Sequence, residues 1–177
     1  VADVRRRSVL ELAHKYGRDD PHERHIAALA LSLFDQTRDL HGLGDAEREL
    51  LEFAALLHNV GTHLSFRGRH RHGRYIIRHS QLRGVTDEEV EILGLVVRYH
   101  RGTRPKSHDP GMRDLDDKGQ NLIKVLSGIL RIAVALDRGH TQVVKRPTAL
   151  RKNGTIELCV SGRGDLELEL WAVRRKT

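Results

Sequence analysis

The chain has 177 residues, which is enough for one domain with a small appendage and for a real hydrophobic core. Its formal net charge of +7 favours anionic partners such as nucleic acid, polyphosphate, nucleotides or an acidic membrane face. The single Cys159 excludes an intrachain disulfide, and no membrane-length apolar run or signal peptide is visible, so we expect a cytoplasmic protein with no membrane partner. Because the sequence begins with Val1 rather than Met, we expect a processed chain or a piece of a longer one.

Hydrophobic periodicity and capping signals predict six α-helices. Their predicted bounds are 3–16, 19–40, 45–60, 69–79, 86–100 and 117–138. The expected N-caps are Asp3, Asp19 or Asp20, Asp45 and Thr86, while Gly17 and Gly61 lie just beyond the first and third helices. The third helix is apolar almost all round, which is typical of the central helix of a bundle.

The helical spacing of apolar residues ends after His140. Asn153-Gly154 is the strongest short signal for a β-hairpin, and residues with strand character flank it at 148–151 and 155–161. Alternation of leucines with acidic residues predicts a further strand at 165–170. We therefore expect a mainly α fold, with a helical domain at 1–140 and a small, incomplete β-rich segment at 141–177.

Four polar residues fall on the apolar stripes of four different predicted helices. They are His22, His58, His100 and Asp137, and Asn59 directly follows His58. Inward-facing side chains from several helices can converge in a bundle core, and imidazoles with a carboxylate are ordinary ligands of Zn²⁺, Mn²⁺ or Fe²⁺. The same residues also fit a metal-free network in which the histidines, the acid and the amide satisfy one another.

A run of one-sign charge follows His58. From Phe53 to Thr86 the sequence contains no Asp or Glu but several arginines, among them Arg67, Arg69, Arg71 and Arg74. The arginines at the start of the fourth helix lie where backbone N–H groups also favour anions. Arg98 and Arg101 begin a second cationic cluster beside His100. Both clusters predict an anion site, and the alternative for each is an ordinary solvated surface.

Six segments occur in a recognisable order along the chain. They are DPH at 20–22, ALSLFD at 30–35, AALLHNVG at 54–61, RHGRYII at 71–77, RYHR at 98–101 and LRIAVALDR at 130–138. Together they resemble the C-terminal half of the exopolyphosphatase / guanosine pentaphosphate phosphohydrolase family, over nearly the whole chain. The resemblance implies an HD-superfamily-like bundle of about six helices followed by a small α+β piece.

The resemblance implies two things about function. The family's catalytic centre lies in N-terminal actin-like domains, whose phosphate-binding loops have no counterpart in this sequence. The helical domain of the family contributes to binding long polyphosphate and to dimer contacts. We therefore expect a module that binds polyphosphate or another phosphate-rich anion, works with an actin-like catalytic domain in cis or in trans, and forms a homodimer.

The HD superfamily suggests an alternative. Matched residue by residue, its metal ligands would be His22, His58 with Asn59, and Asp137, with His72 and His100 as the additional histidines of binuclear relatives. Such a site would hold Mn, Zn, Fe or Mg and hydrolyse a nucleotide or phosphate ester. Asn59 stands where the superfamily has Asp, and a neutral amide is a poorer ligand. A dimerisation or regulatory domain is the third hypothesis, and nucleic-acid binding is the fourth.

Overall fold

The computed structural model describes residues 2–16 and 20–176, and the side chains of residues 4–16 and 20–176. The helices are α1 Ala2–Lys15, α2 Pro21–Gln36, α3 Arg38–His41, α4 Asp45–Leu57, a 3₁₀ helix Val60–His63, α5 Arg69–Arg78, α6 Asp87–Tyr99, α7 Asp117–Leu136 and α8 Glu167–Arg174. The strands β1 Thr148–Lys152 and β2 Thr155–Cys159 form an antiparallel hairpin in which Thr148 pairs with Cys159. The predicted mainly α fold with a small C-terminal hairpin is confirmed.

Two predicted helix starts are confirmed. The Asp20 carboxylate accepts hydrogen bonds from the backbone N–H groups of His22 and Glu23, and Pro21 occupies the first helical position of α2. Thr86 and Glu89 form the predicted capping box at α6. Asp19 and Gly17, which were also predicted as helix boundaries, lie outside the described residues.

Four predicted helix boundaries are wrong. Asp3 lies inside α1, and Gly44 rather than Asp45 caps α4, because the Glu47 carboxylate accepts a hydrogen bond from the Gly44 N–H. The second helix ends at Gln36 rather than near residue 40. At this end, the hydroxyl of Thr37 donates a hydrogen bond to the carbonyl of Leu33.

The third helix ends at Leu57 rather than Val60. Beyond it, Gly61 lies in a 3₁₀ helix that packs closely against the start of α5. A Cβ atom at Gly61 would lie only 1.8 Å from the carbonyl oxygen of Arg69. This contact between backbones fixes the angle at which the arginine-rich helix leaves the bundle.

The hydrophobic core lies between α2, α4, α6 and α7. Phe34, Leu51, Leu93 and Leu130 are fully buried there, one from each helix. The central position predicted for the third helix is confirmed, since α4 packs against α1, α2, α6 and α7. The C-terminal segment joins the same core, as Val144, Ala172 and Val173 are part of it. The division at residues 140 and 141 stays a prediction.

The strand predicted at 165–170 is wrong, because this segment forms α8. Its buried side is spaced for a helix, with the apolar residues Leu166, Ala172 and Val173 and the acidic residue Glu169 turned towards the fold. Two of the acidic residues that suggested strand alternation, Glu167 and Glu169, lie in the first turn of α8, and Arg174 lies in the last, so both ends favour the helix dipole. The sequence of this segment fits both a strand and a helix, and packing of α8 against α7 selects the helix.

Among the described residues, one helix is long and apolar enough to be considered as a membrane span. By length and composition, α7 is apolar enough to cross a membrane, but 44% of its most apolar stretch is buried inside the fold. Core helices of globular proteins pass the same test. Its packing against α2, α4 and α6 fits that role.

Candidate functional site

Three histidines meet where α2 begins and α4 and α6 end. His22 lies in the first turn of α2, while His58 and His100 are the C-terminal caps of α4 and α6. The ring centroids of His22 and His58 are 5.6 Å apart, and those of His58 and His100 are 5.3 Å apart. All three side chains are buried, so the predicted convergence of these residues inside the bundle is observed.

Asp137 joins this cluster from the end of α7. Its Oδ2 atom lies 2.7 Å from Nδ1 of His22. The backbone N–H of Gln142 donates to Oδ1 of Asp137, and the side-chain amide of Gln142 donates to Oδ2. Burial opposes the charge, but these hydrogen bonds hold the pKa of Asp137 below its usual value. The ring of His140 stacks on His22 with centroids 3.6 Å apart. The ionised carboxylate of Asp137, which is held by Gln142, therefore orients the ring of His22.

Asn59 faces a different acid. Its side-chain amide donates to Oε1 of Glu23 at 3.2 Å. Burial raises the pKa of Glu23 to about 7, and the nearby Asp20 carboxylate adds to the effect. A buried, partly neutral Glu23 is thus the neighbour of the residue that stands in the HD aspartate position.

Two histidines of the cluster, His58 and His100, are neutral at physiological pH. Burial lowers the pKa of His58 to about 3 and that of His100 well below its usual value. Each ring donates its Nδ1 proton to a backbone carbonyl one turn earlier, from His58 to Ala55 and from His100 to Val97. Within the described chain, Nε2 of His58 is buried without a hydrogen-bond partner.

No preformed metal site is seen among the described residues. In the parts of the chain that the structure describes, no group of three or more His, Cys, Asp or Glu side chains could hold a metal ion. The Asn59 amide is bound to Glu23, and the half-buried His72 lies in the first turn of α5, close to Gly68. The hydrogen bonds present are those of the polar network that the sequence left open, and the alternative of a metal centre stays a prediction.

Next to His100, a cavity of about 270 Å³ opens between α5, α6, α7 and α8. Six cationic side chains line it: Arg69, Arg101, Arg131, Arg138, Arg175 and Lys176. None of its lining residues, all within the described chain, is acidic. We call this cavity the cationic pocket.

The cations of the pocket repel one another. The pKa of Lys176 is lowered by burial and by the charges of Arg131, Arg101 and other pocket arginines. Burial and the charge of Arg138 likewise lower the pKa of Arg101. Arg131 is held in place by donating to the carbonyls of Tyr99, Gly102 and Thr103. A bound anion would relieve this repulsion, which makes the pocket a candidate anion site.

The six arginines predicted to bind an anion are divided by the structure. Arg69 and Arg101 line the cationic pocket, whereas Arg67 and Arg71 are exposed at the start of α5 and just before it. Arg98 is half-buried, with its guanidinium 5.1 Å from the ring centroid of Tyr99. These five positions are compatible with a cationic surface that extends from the pocket.

Arg74 does not line the cationic pocket and instead lies near Glu91 of α6. It lies 3.8 Å from the carboxylate of Glu91, and the same carboxylate binds Arg78 at 2.6 Å. The run without acids in sequence is therefore partly neutralised in space by α6. Arg83, also in that run, pairs with Glu11 of α1.

Several residues of the site were missed from the sequence. They are Glu23, Arg131, Arg138, His140, Gln142, Trp171, Arg175 and Lys176. Arg131 and Arg138 flank Asp137 in the segment LRIAVALDR, which was the one available signal. Glu23 lies in the first turn of α2, beside His22. The others depend on α8 and on the turn after α7, whose positions sequence periodicity does not reveal.

Comparison with known proteins points to one family. The family model described as Ppx/GppA phosphatase, domain III, matches residues 4–169. A guanosine-5'-triphosphate,3'-diphosphate pyrophosphatase of Vibrio vulnificus (strain YJ016) is 26% identical over 156 residues, covering 86% of this chain and 30% of the relative. A protein of the same name from Pseudoalteromonas translucida (strain TAC 125) is 27% identical over 143 residues, covering 76% and 27%. The chain thus spans less than a third of the length of these curated relatives.

Proposed function

Because the chain belongs to the Ppx/GppA phosphatase family, we propose that it is the phosphate-binding helical module of an exopolyphosphatase-related enzyme. Its ligand in this proposal is polyphosphate or another phosphate-rich anion, held in the cationic pocket. Hydrolysis belongs to an actin-like catalytic domain, joined to the module in one polypeptide or supplied by another chain. We also expect the module to be cytoplasmic and to dimerise.

The cationic pocket is the observation that carries the proposal. Cations that converge in a pocket without a lining acid attract an anion, and the charged form of Lys176 is already disfavoured by burial and by neighbouring arginines. Arginine is suited to phosphate because its planar fork of donors matches two phosphate oxygens. The names of the two curated relatives state a substrate with two phosphate chains, which belongs to the same chemical class.

The buried cluster of polar side chains supports the cationic pocket rather than competing with it; its members are His22, His58, His100 and Asp137. His100 belongs to both, since it contacts His58 and also lines the cationic pocket. Asp137 ends α7, the helix that carries Arg131, and Arg138 follows it directly. The buried network therefore fixes the ends of the helices that supply the pocket cations.

The test is binding of long-chain polyphosphate measured by calorimetry at several salt concentrations. A triple variant removes three pocket cations that make few structural contacts: Arg101→Ala, Arg138→Ala and Lys176→Ala. We expect at least a tenfold loss of affinity and a shallower dependence of log affinity on log salt, by about 0.7–0.9 per lost phosphate contact.

A matched control removes the same charge from exposed positions outside the pocket: Arg113→Ala, Arg151→Ala and Arg163→Ala. Because exposed charges act only through the screened overall field, we expect less than a threefold loss. Equal losses in the two triple variants would show that net charge, and not the pocket, binds the anion.

A further inference from the structure

Helix α7 has an apolar face that the fold leaves partly open. Only 44% of its most apolar stretch is buried inside the fold. Val125, Ile129 and Ile132, spaced at i, i+4 and i+7, lie on one face of the helix, and each is half-buried. Between them, a Cβ atom added at Gly128 would meet nothing within 4 Å among the described residues. This face therefore has an open notch that a side chain of a partner could fill.

The apolar face is the floor of a cleft of about 490 Å³, whose other wall is the loop that carries Arg104 and Pro105. The charged residues that line this cleft are all cations: Arg104, Lys124, Arg131 and Lys176. None of the lining residues, all within the described part of the chain, is acidic. Burial and the charge of Arg104 lower the pKa of Arg131, so cations at the rim repel one another. We call this cleft the α7 groove.

The shape and charge of the α7 groove restrict what can occupy it. A lipid bilayer presents a broad surface of headgroups, which cannot enter a cleft between a loop and a helix. A second copy of the chain, related by a two-fold axis, would place the cations of one groove against the same cations of the other. A bare anion would leave the apolar floor in contact with water. A helix with aliphatic residues along one face and acidic residues beside them fits both the floor and the rim.

We propose that the α7 groove is the docking site for an acidic, amphipathic helix of a separate partner protein. Aliphatic side chains of this helix pack on the apolar floor, one of them over Gly128, and its carboxylates pair with the rim cations. Arg131 and Lys176 line both the groove and the cationic pocket. A helix in the groove and an anion in the pocket therefore compete for these two cations. The competition rests on the proposed anion-binding function, whereas the docking does not.

The test begins with random peptides of about 16 residues, roughly four helical turns, displayed on phage and selected for binding to the 177-residue chain. We expect the enriched peptides to combine Asp or Glu with aliphatic residues spaced at i, i+3 or i+4, and i+7. Enriched peptides that lack either the acids or this spacing would overturn the proposal.

Two variants then locate the binding of a synthetic copy of an enriched peptide, measured by calorimetry. Gly128→Gln fills the notch and raises helix propensity, so it should weaken binding at least about fivefold without loss of stability. Arg104→Glu with Lys124→Glu reverses the charge of two exposed rim residues that do not line the cationic pocket, and should weaken binding at least about tenfold.

The matched control, Arg113→Glu with Arg151→Glu, makes the same change in net charge at exposed positions that do not line the α7 groove. It should weaken binding less than about threefold, because these charges act only through the screened overall field. Equal losses in the two double variants, or unchanged binding to Gly128→Gln, would overturn the docking site.

Further measurements separate this inference from other occupants and from the proposed function. Binding to vesicles of phosphatidylcholine and phosphatidylserine, in about 3:1 ratio, that Gly128→Gln abolishes would assign the groove to a membrane and overturn the proposal. A dimer that Gly128→Gln dissociates, measured by light scattering, would overturn it in favour of a second copy.

Saturating tripolyphosphate should weaken peptide binding at least about threefold, because both ligands use Arg131 and Lys176. If the peptide binds as expected and tripolyphosphate does not bind the chain, the docking site stands and the proposed anion-binding function fails. If tripolyphosphate binds and no amphipathic peptide is enriched, the docking site fails and the anion-binding function stands.

Discussion

The side-chain amide of Asn59 donates a hydrogen bond to Oε1 of Glu23, 3.2 Å away, inside the helical bundle. Burial raises the pKa of Glu23 to about 7, so the site already contains one carboxyl group that resists ionisation. An amide at position 59 satisfies this acid as a donor, whereas a carboxylate would add a second negative charge to a buried space. The neutral side chain of Asn59 is therefore part of the buried hydrogen-bond network, and replacing it with Asp would disturb that network.

Asn59→Asp should lower the free energy of unfolding by about 2 kcal/mol or more, because it buries a carboxyl group beside Glu23 and removes the donor. The loss should be larger at pH 8 than at pH 5.5, where one of the two acids can be protonated. Urea unfolding at both pH values measures it. Asn121→Asp, at an exposed position of α7, is the control and should change stability by less than about 0.5 kcal/mol.

The same variant tests the hypothesis of an HD-type metal site. If the metal-free network is the native arrangement, millimolar Mn²⁺ should leave the melting temperature of the Asn59→Asp variant unchanged relative to EDTA. Stabilisation of the variant by Mn²⁺, but not of Asn121→Asp, would instead show that the histidine cluster can assemble a metal centre once the acid is restored.

Glu23→Gln should make the protein more stable than the unmodified chain at neutral and alkaline pH. The pKa of Glu23 is raised from its ordinary 4.5 to about 7, so the folded state holds a proton that the unfolded state has lost. Between these values stability falls as pH rises, by up to about 3 kcal/mol in total, and the fall levels off above pH 7. Glutamine imitates the protonated acid and removes this dependence.

The measurement is the difference in unfolding free energy between Glu23→Gln and the unmodified chain from pH 4 to pH 9. It should be small at pH 4, grow through pH 5–7 and then stay constant. The low pKa values of His58 and His100 produce an opposite slope below pH 6.5, but they are shared by both proteins and cancel in the difference. Glu88→Gln, at an exposed position, should give a flat difference over this window; a flat result for Glu23→Gln would contradict the raised pKa.

The inward positions of His22, His58, His100 and Asp137 were predictable because helical periodicity alone places them on buried stripes. The partner of each was not predictable, since periodicity says that a side chain points inward but not which neighbour it meets. Thus Asn59 was paired in sequence with His58 and in space with Glu23.

The cationic pocket shows where reading the sequence failed most clearly. Alternating leucines and acids fit a strand as well as a helix at 165–170, and only packing against α7 selects the helix that carries Trp171. Likewise, the run of arginines without acids suggested one continuous cationic surface, yet Glu91 of another helix neutralises part of it. The charged residues in a sequence give the net charge of the protein, but they do not show which opposite charges pair in the folded structure.

Asp137→Asn should destabilise the protein by about 3–5 kcal/mol, because it breaks a buried pair and leaves the donors of His22 and Gln142 without their carboxylate. Chemical denaturation measures this loss, and Asp114→Asn, at an exposed position, should cost less than about 0.5 kcal/mol. A loss below about 1 kcal/mol in Asp137→Asn would indicate that the buried charge contributes little to holding His22 and the end of α7.

Gly61→Ala and Gly128→Ala should change stability in opposite directions. At Gly61 a Cβ atom would lie 1.8 Å from the Arg69 carbonyl oxygen and 2.4 Å from the Gly73 nitrogen, so two backbone segments would have to separate. At Gly128, in the middle of α7, a Cβ atom would meet nothing within 4 Å. We expect a loss of about 3 kcal/mol or more for Gly61→Ala, and a gain of about 0.5–1 kcal/mol for Gly128→Ala from the higher helix propensity of alanine.

Urea unfolding of both glycine variants gives the two changes directly. Because the contact at Gly61 sets the direction of α5, a Gly61→Ala protein that still folds should also bind polyphosphate more weakly, through displacement of Arg69 from the cationic pocket. Gly128→Ala should bind as the unmodified chain does. If Gly61→Ala were as stable as Gly128→Ala, the close approach between the 3₁₀ helix and α5 would not exist in solution, and the position of the arginine-rich helix would need another explanation.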